Sequence, residues 1–200
     1  MPKLFNYHRY ENFLDIDVVN TLLEYCLINE GNFNDARLGN SKTSNRVYKD
    51  YRICLVNNDL GQFEELIKQR ILNFLPDFYK RLNIKPFEVT AIELQIAAHG
   101  DGAFFKQHID THTEIENNSK SRVISAVFYF FTEPKKFKGG ELVLHPFPFL
   151  DGSDTSVILK PISNSLVIFP SFGMHEVLKV NCPDLPFQNW RFAINCWINN

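Results

Sequence analysis

The chain has 200 residues, of which 44% are hydrophobic and 22% are charged, a composition typical of one globular domain of this length. Its net charge of −2 excludes the basic surface with which proteins bind nucleic acid, and it has no apolar run as long as a signal h-region or a membrane span. The four cysteines are scattered without a Cys-x-x-Cys pair, which excludes a zinc knuckle and a disulfide framework. We therefore expect a single-domain cytoplasmic protein whose partners include neither nucleic acid nor a membrane.

Two amphipathic helices are predicted in the N-terminal part of the chain. Residues 15–28 carry apolar side chains at helical spacing. A second helix is expected to begin near Asp59, with Pro76 kinking or ending it, because proline lacks the amide hydrogen that a helix interior requires. Between the helices, the polar residues 31–50 predict a long loop, and the apolar residues 51–56 predict a short strand.

From Val89 onward the pattern changes to short apolar or alternating runs separated by Gly, Pro, Asn and Asp. Eight strands are predicted, at residues 89–98, 103–110, 122–131, 141–144, 156–159, 165–169, 175–180 and 191–198. Many short strands with turn residues between them are typical of a sandwich or jelly roll. We therefore predict a mainly β fold, with residues 1–88 as a helical support and residues 89–200 as a jelly-roll core within one domain.

His108 and Asp110 end the stretch 94–110 and are two residues apart. If this stretch ends in a strand, residues two apart point to the same face, so the imidazole and the carboxylate emerge side by side. His175, which follows the apolar run 165–170, is the candidate for a third ligand. Two histidines and one carboxylate on one face of an octahedron leave the other face open, which is the arrangement of non-haem Fe(II) oxygenases.

Arg191 opens the last predicted strand, where its permanent positive charge stands among apolar neighbours. A buried charge without a partner is costly, so this guanidinium needs a carboxylate, and its planar fork suits a bidentate one. A dicarboxylate co-substrate would supply that carboxylate.

With these residues the sequence resembles the 2-oxoglutarate and Fe(II)-dependent dioxygenases of the prolyl hydroxylase type. The resemblance covers about Ile92 to Trp197 and includes, in chain order, Gln95 to Asp110, Arg122 to Phe131, Lys138-Gly-Gly-Glu-Leu, His175-Glu-Val and Arg191-x-Ala-Ile-x-x-Trp197. It implies a double-stranded β-helix in which His108, Asp110 and His175 bind iron.

The same resemblance implies roles for three further residues. Arg191 would pair with the distal carboxylate of 2-oxoglutarate, and Tyr129 would donate a hydrogen bond to that carboxylate. His99 stands where many relatives have a tyrosine, which makes it a candidate for contact with the co-substrate or the substrate. The implied cofactors are Fe(II), 2-oxoglutarate and O₂, with ascorbate as a candidate reductant. The implied reaction converts 2-oxoglutarate to succinate and CO₂ and most often hydroxylates the substrate.

Each of these residues also has a purely structural interpretation. The His-x-Asp pair can be an exposed strand end, His175 can be a loop histidine, Arg191 can pair with a protein acid, and Tyr129 can be a core residue. His112 and Glu114 continue the alternation and offer a rival metal set, although the loop-like sequence after them places them at the rim of the site.

Four loops are expected to surround the mouth of the site, at residues 111–121, 132–140, 145–156 and 181–190. Loops on a rigid scaffold usually decide specificity. Phe172 and Met174 are expected to pack beside the site and exclude water, and His145 is expected to have a structural role.

We predict that the enzyme hydroxylates an amino-acid residue, with proline as the first candidate, in a peptide or protein. An extended peptide can be held by backbone hydrogen bonds, whereas a free amino acid needs buried partners for both charged ends, for which the mouth loops offer few candidates. A hydroxylase of a free amino acid or another small molecule is the alternative within the enzyme class. A non-catalytic metal-binding jelly-roll module is the alternative from another class.

Overall fold

The computed structural model of this protein describes residues 4–36, 49–111, 121–146 and 156–200. The helices are α1 (Ile16–Ile28) and α2 (Phe63–Leu82), with short 3-10 turns at Glu30–Asn32 and Phe187–Asn189. The strands are β1 (His8–Glu11), β2 (Asn34–Asp35), β3 (Arg52–Ile53), β4 (Leu55–Asn57), β5 (Ala91–His99), β6 (Phe104–His108), β7 (Arg122–Phe130), β8 (Lys138–Gly139), β9 (Leu142–Leu144), β10 (Val157–Leu159), β11 (Ser165–Pro170), β12 (His175–Val177), β13 (Val180–Asn181) and β14 (Arg191–Asn199).

Two antiparallel sheets form the core of the molecule. The larger sheet has seven strands in the order β1-β11-β7-β14-β5-β4-β2, and the smaller has five in the order β10-β9-β12-β6-β3. Side chains from both sheets, among them Tyr129, Phe169 and Leu144, share one apolar cluster between them. Strands β8 and β13 form a separate pair. The chain thus crosses repeatedly between two facing sheets, and the predicted jelly roll is confirmed.

Both helices pack on the outer face of the larger sheet. Leu22 of α1 and Ile71 of α2 belong to the same buried cluster as Ile194 of β14. The neighbours of Ile194 along the strand, Ala193 and Asn195, point to the opposite face, toward the interior between the sheets. The helices thus support one face of the central strands and leave the other face for a site.

Helix α2 differs from the sequence prediction because it continues through Pro76 to Leu82. Pro76 lies on the exposed side of the helix, whereas Leu75, Phe78 and Leu82 are buried against the core. Burial of these side chains on both sides of the proline offsets the cost of the hydrogen bond that proline cannot make. Helix α1 agrees with its predicted bounds.

The prediction of a helical support for residues 1–88 needs a correction. Four strands from this part join the sheets: β1, β2 and β4 lie in the larger sheet, and β3 lies in the smaller one. The single strand predicted at residues 51–56 is in fact β3 and β4, which belong to different sheets. The stretch is too short for periodicity to show that the chain crosses between sheets.

Part of the predicted loop at residues 31–50 forms the end of a 3-10 turn and β2, and residues 37–48 lie outside the described part. The strand predicted at residues 175–180 ends early, and its last residue opens the separate strand β13. In the ranges that the structure describes, neither helix is long and apolar enough to cross a membrane.

Candidate active site

His108, Asp110 and His175 come together between the two sheets. His108 ends β6 and lies opposite His175, the first residue of the neighbouring strand β12. Asp110 follows two residues after His108, where its backbone amide donates to the carbonyl of Ser171 at 2.9 Å. The Nε2 atoms of both histidines are 3.6 Å from the Asp110 carboxylate, and the three potential ligand atoms all lie within 4.8 Å of one another.

Backbone contacts fix which nitrogen each histidine turns toward the carboxylate. Nδ1 of His108 lies 2.7 Å from the carbonyl of Lys106, and Nδ1 of His175 lies 2.9 Å from the carbonyl of Gly173. A carbonyl only accepts, so Nδ1 donates in both residues and Nε2 of the neutral ring keeps its lone pair. Both lone pairs are thus available to a metal ion at the position that the carboxylate faces.

Burial and mutual repulsion favour the protonation states that metal ligands require. Burial, followed by the nearby His175, lowers the pKa of His108 to about 3. For Asp110, burial alone would raise the pKa, but the two imidazoles and the hydroxyl of Ser125 outweigh burial and lower it. The site therefore combines an ionised carboxylate with at least one firmly neutral imidazole.

Neighbouring side chains hold the three groups in place. The hydroxyl of Ser125 donates to Oδ2 of Asp110 at 2.7 Å and lies 2.9 Å from the hydroxyl of Ser171. Phe105 stacks on His108 with ring centroids 3.5 Å apart, and Phe169 meets His175 edge-on at 4.7 Å. Hydrogen-bonded carboxylates and packed imidazoles of this kind orient metal ligands.

Arg191 and His99 form a buried pair at the end of the cavity. They are cross-strand neighbours on β14 and β5, and Nη1 of Arg191 lies 3.0 Å from Nδ1 of His99. Burial, with repulsion from Arg191, lowers the pKa of His99 well below its usual range. Because a guanidinium can only donate, Nδ1 of the neutral His99 accepts and its proton is on Nε2.

Two polar atoms beside this pair are buried without a hydrogen-bond partner: Nε of Arg191 and the hydroxyl of Tyr129. The guanidinium carbon of Arg191 lies 4.9 Å from the centre of the Tyr129 ring. Burial raises the pKa of Tyr129, so its hydroxyl remains a donor at neutral pH. These two unsatisfied donors fit a carboxylate ligand, because an acceptor-only anion can satisfy such donors.

The second glycine of the Lys138-Gly-Gly-Glu-Leu motif makes room for Arg191. Gly140 has a φ of +72°, and a Cβ there would lie 2.5 Å from Cδ of Arg191. A side chain at this position would collide with the arginine and would also strain the backbone.

Arg52 of β3 is a further residue of the same cavity, and it did not emerge from the sequence. It lines the space that His108, Asp110, His175, Tyr129, His99 and Arg191 enclose. The signal that could have identified it is the one used for Arg191, a cation within a short apolar strand.

Several predictions concern residues around the cavity. His145 lies 3.0 Å from both the hydroxyl of Ser156 and a carboxylate oxygen of Glu176, contacts that fit the predicted structural role. The prediction for Phe172 is wrong, because its ring is 47% exposed and meets Phe5 edge-on at 6.3 Å outside the cavity. Met174 does not line the cavity either.

The rival ligands His112 and Glu114 lie outside the described residues. Among the described residues, the group that could hold a metal ion is His108, Asp110 and His175.

Comparisons with known proteins agree with this geometry. Over 163 residues the chain is 37% identical to an uncharacterised PKHD-type hydroxylase of Synechocystis sp., a match that covers 80% of this chain and 52% of that relative. The chain thus spans about half the length of this relative.

Two solved structures share the fold. A Pseudomonas putida prolyl-4-hydroxylase aligns with a TM-score of 0.66 at 21% identity, covering 98% of this chain and 93% of that one. A prolyl hydroxylase from Trichoplax adhaerens, solved in complex with a hypoxia inducible factor peptide fragment, aligns with a TM-score of 0.69 at 20% identity, covering 97% of this chain and 83% of that one.

Residues 94–199 match the 2OG-Fe(II) oxygenase superfamily, whose cofactors are Fe(II), 2-oxoglutarate and O₂. The His-Asp-His group fits iron binding, and the partnerless donors around Arg191 fit a carboxylate. Because the match spans more than half of the chain and includes the strands that carry these residues, the chain belongs to the 2OG-Fe(II) oxygenase superfamily.

Proposed function

We propose that this protein is an Fe(II)- and 2-oxoglutarate-dependent hydroxylase that acts on an amino-acid residue, with proline as the first candidate, in a peptide or protein. The observation that carries the proposal is one cavity that contains both a His-Asp-His group and a buried arginine with partnerless donors beside it. A metal site alone would suit a binding module, but such a module has no need of an anchor for a dicarboxylate.

In this proposal His108 and His175 hold iron through Nε2, and Asp110 holds it through its carboxylate. Iron and 2-oxoglutarate, when bound, would supply the oxidising chemistry: O₂ is reduced while 2-oxoglutarate is oxidised to succinate and CO₂. The residues contribute orientation: backbone carbonyls set the tautomers, and Ser125 and Phe105 hold the carboxylate and one imidazole.

Arg191 and Tyr129 bind the distal carboxylate of 2-oxoglutarate in the same proposal. His99 acts through Arg191 by accepting a hydrogen bond that holds the guanidinium in the cavity. A protonated His99 would repel the cation, so its lowered pKa suits this role. We therefore assign His99 as a positioning residue for Arg191.

The relatives support a peptide or protein as the substrate. Two proteins with the same fold are prolyl hydroxylases, and one of them was solved with a peptide fragment. The test is mass spectrometry after incubation with Fe(II), 2-oxoglutarate and either a proline-containing peptide library or free amino acids. We expect a mass gain of one oxygen atom on peptides, together with succinate. A product found on free amino acids alone would overturn the choice of substrate.

Replacing Ser125 by Ala should weaken metal binding without abolishing it. The variant removes the hydroxyl that orients Asp110 and helps to keep it ionised. Loss of such a supporting hydrogen bond typically lowers metal affinity about 10–100-fold. Calorimetric titration with Mn(II) would measure the change, and Ser165→Ala is the matched control.

Ser165 is also buried and donates to a backbone carbonyl, that of Ile162, away from the cavity. Equal metal affinity in Ser125→Ala and the control would show that Ser125 does not support the ligand.

A further inference from the structure

Strand β3 buries its charged side chain and exposes its apolar one. Arg52 is only 8% exposed, whereas the adjacent Ile53 is 37% exposed. Successive side chains of a strand point to opposite faces, so the usual arrangement would put the isoleucine inside and the arginine in water. A buried charge is costly, which means that this orientation needs a compensating interaction.

The partners of Arg52 among the described residues do not compensate its charge. Its Nε lies 3.2 Å from the sulfur of Cys54, its Nη2 donates to Oε1 of Gln95 at 3.1 Å, and its guanidinium carbon lies 4.8 Å from the centre of the Phe105 ring. All three partners are neutral. None of the ion pairs found among the described residues includes Arg52.

The arginine is nevertheless held firmly. Gln95 donates from its amide nitrogen to Oδ1 of Asn58 at 2.9 Å, which turns its carbonyl oxygen toward Arg52. Because Arg52 lies in the smaller sheet and Gln95 in the larger one, their bond joins the two sheets. A fixed guanidinium is a prepared site for an anion, since little side-chain entropy remains to be lost on binding.

The net charge of the cavity lining favours the binding of one more anion. Among its described lining residues, two arginines stand against a single carboxylate, that of Asp110. Under the proposed function, the two positive charges of Fe(II) cancel the two negative charges of 2-oxoglutarate, so one positive charge remains after both have bound. Arg191 is assigned to the co-substrate, which leaves Arg52.

Arg52 also stands close to the proposed reaction centre. It lies against Phe105, whose ring also stacks on His108. An anion bound to Arg52 would therefore sit beside the iron ligands, where the bond to be oxidised must also lie.

We propose that Arg52 recognises a carboxylate of the primary substrate, either an acidic side chain or a C-terminal carboxylate close to the residue that is hydroxylated. This inference rests on the proposed function and narrows its substrate class to acidic peptides.

Binding of matched peptide pairs would test the inference. Fluorescent proline-containing peptides would be made with Glu or Gln beside the proline, and with a free or an amidated C-terminus. Anisotropy would give their affinities for the protein loaded with Mn(II) and 2-oxoglutarate without O₂, so that binding is read without turnover. We expect the carboxylate member of one type of pair to bind roughly 10–100-fold more tightly, the usual worth of a charge-assisted hydrogen bond.

Arg52→Met should abolish this preference, and Arg52→Lys should retain part of it because the charge remains while the fork is lost. Arg70→Met is the matched control, because Arg70 is also partly buried with neutral partners, the carbonyl of Phe13 and the ring of Phe74, away from the cavity. Thermal melts of all variants would establish that they fold.

Absence of a carboxylate preference in every pair, or an equal preference in Arg52→Met, would overturn the inference. A preference that survives while Arg52→Met weakens calorimetric binding of 2-oxoglutarate would assign Arg52 to the co-substrate instead, and would overturn it too. Preferred binding of acidic peptides without any oxidised product would support the role of Arg52 and refute the proposed hydroxylation. The two failures are thus distinguishable.

Discussion

Asp110→Ala should abolish metal binding and 2-oxoglutarate turnover while leaving the fold intact. Asp110 supplies the one carboxylate of the His-Asp-His group, and without it only the two imidazoles of the group remain to bind a divalent cation. The fold should persist because the backbone amide of residue 110 keeps its bond to the carbonyl of Ser171. We expect metal affinity to fall by at least about 100-fold, because loss of a residue that only orients a ligand already lowers metal affinity by up to about 100-fold.

Calorimetry with Mn(II) and succinate formation with Fe(II) would measure the two effects, with circular dichroism as the check on folding. Asp35→Ala is the matched control, since Asp35 is an exposed acid that lies 3.8 Å from Lys49. Full activity in Asp110→Ala would refute the assignment of all three iron ligands.

Arg191→Met should sharply raise the Michaelis constant for 2-oxoglutarate and change metal affinity little. A buried carboxylate that loses its charged partner costs on the order of 3–5 kcal/mol, or several hundred-fold or more in affinity. Methionine fills a similar volume, so Gly140 and Tyr129 can keep their positions around the new side chain. Calorimetric titration with 2-oxoglutarate in the presence of Mn(II) would measure the loss directly.

Arg70→Met again serves as the control for removal of a partly buried arginine. If wild type and Arg191→Met bind 2-oxoglutarate equally well, Arg191 is a structural residue and the co-substrate anchor lies elsewhere. If metal affinity falls as far as co-substrate affinity, the substitution has disturbed the whole cavity and the specific assignment fails.

Most strands of the jelly roll could be predicted from the sequence, and so could the grouping of His108, Asp110 and His175. Alternating burial is a local pattern, and the chemical types of the ligands restrict which residues can meet. The end of helix α2 could not be predicted in this way. Whether the helix continues through Pro76 depends on how strongly the flanking side chains are buried, which is a property of the tertiary structure.

The roles of His99 and Arg52 could not be obtained in this way. His99 meets Arg191 through the register of β5 and β14, two strands far apart in the chain. Arg52 stands out as a cation in an apolar stretch, but its place in the cavity depends on the pairing of β3 with β6, which a strand of two residues cannot reveal. Both cases depend on long-range pairing rather than on local pattern.

The two arginines of the cavity also bear on how fast ligands enter it. A concave site lined by an excess of one charge concentrates ions of the opposite charge at its mouth and raises their rate of association. Added salt screens this attraction over distances of about 8–10 Å, so association of 2-oxoglutarate should slow as ionic strength rises. A neutral ligand would show no such dependence. Arg52 and Arg191 thus give the cavity a kinetic preference for anions before any contact is made.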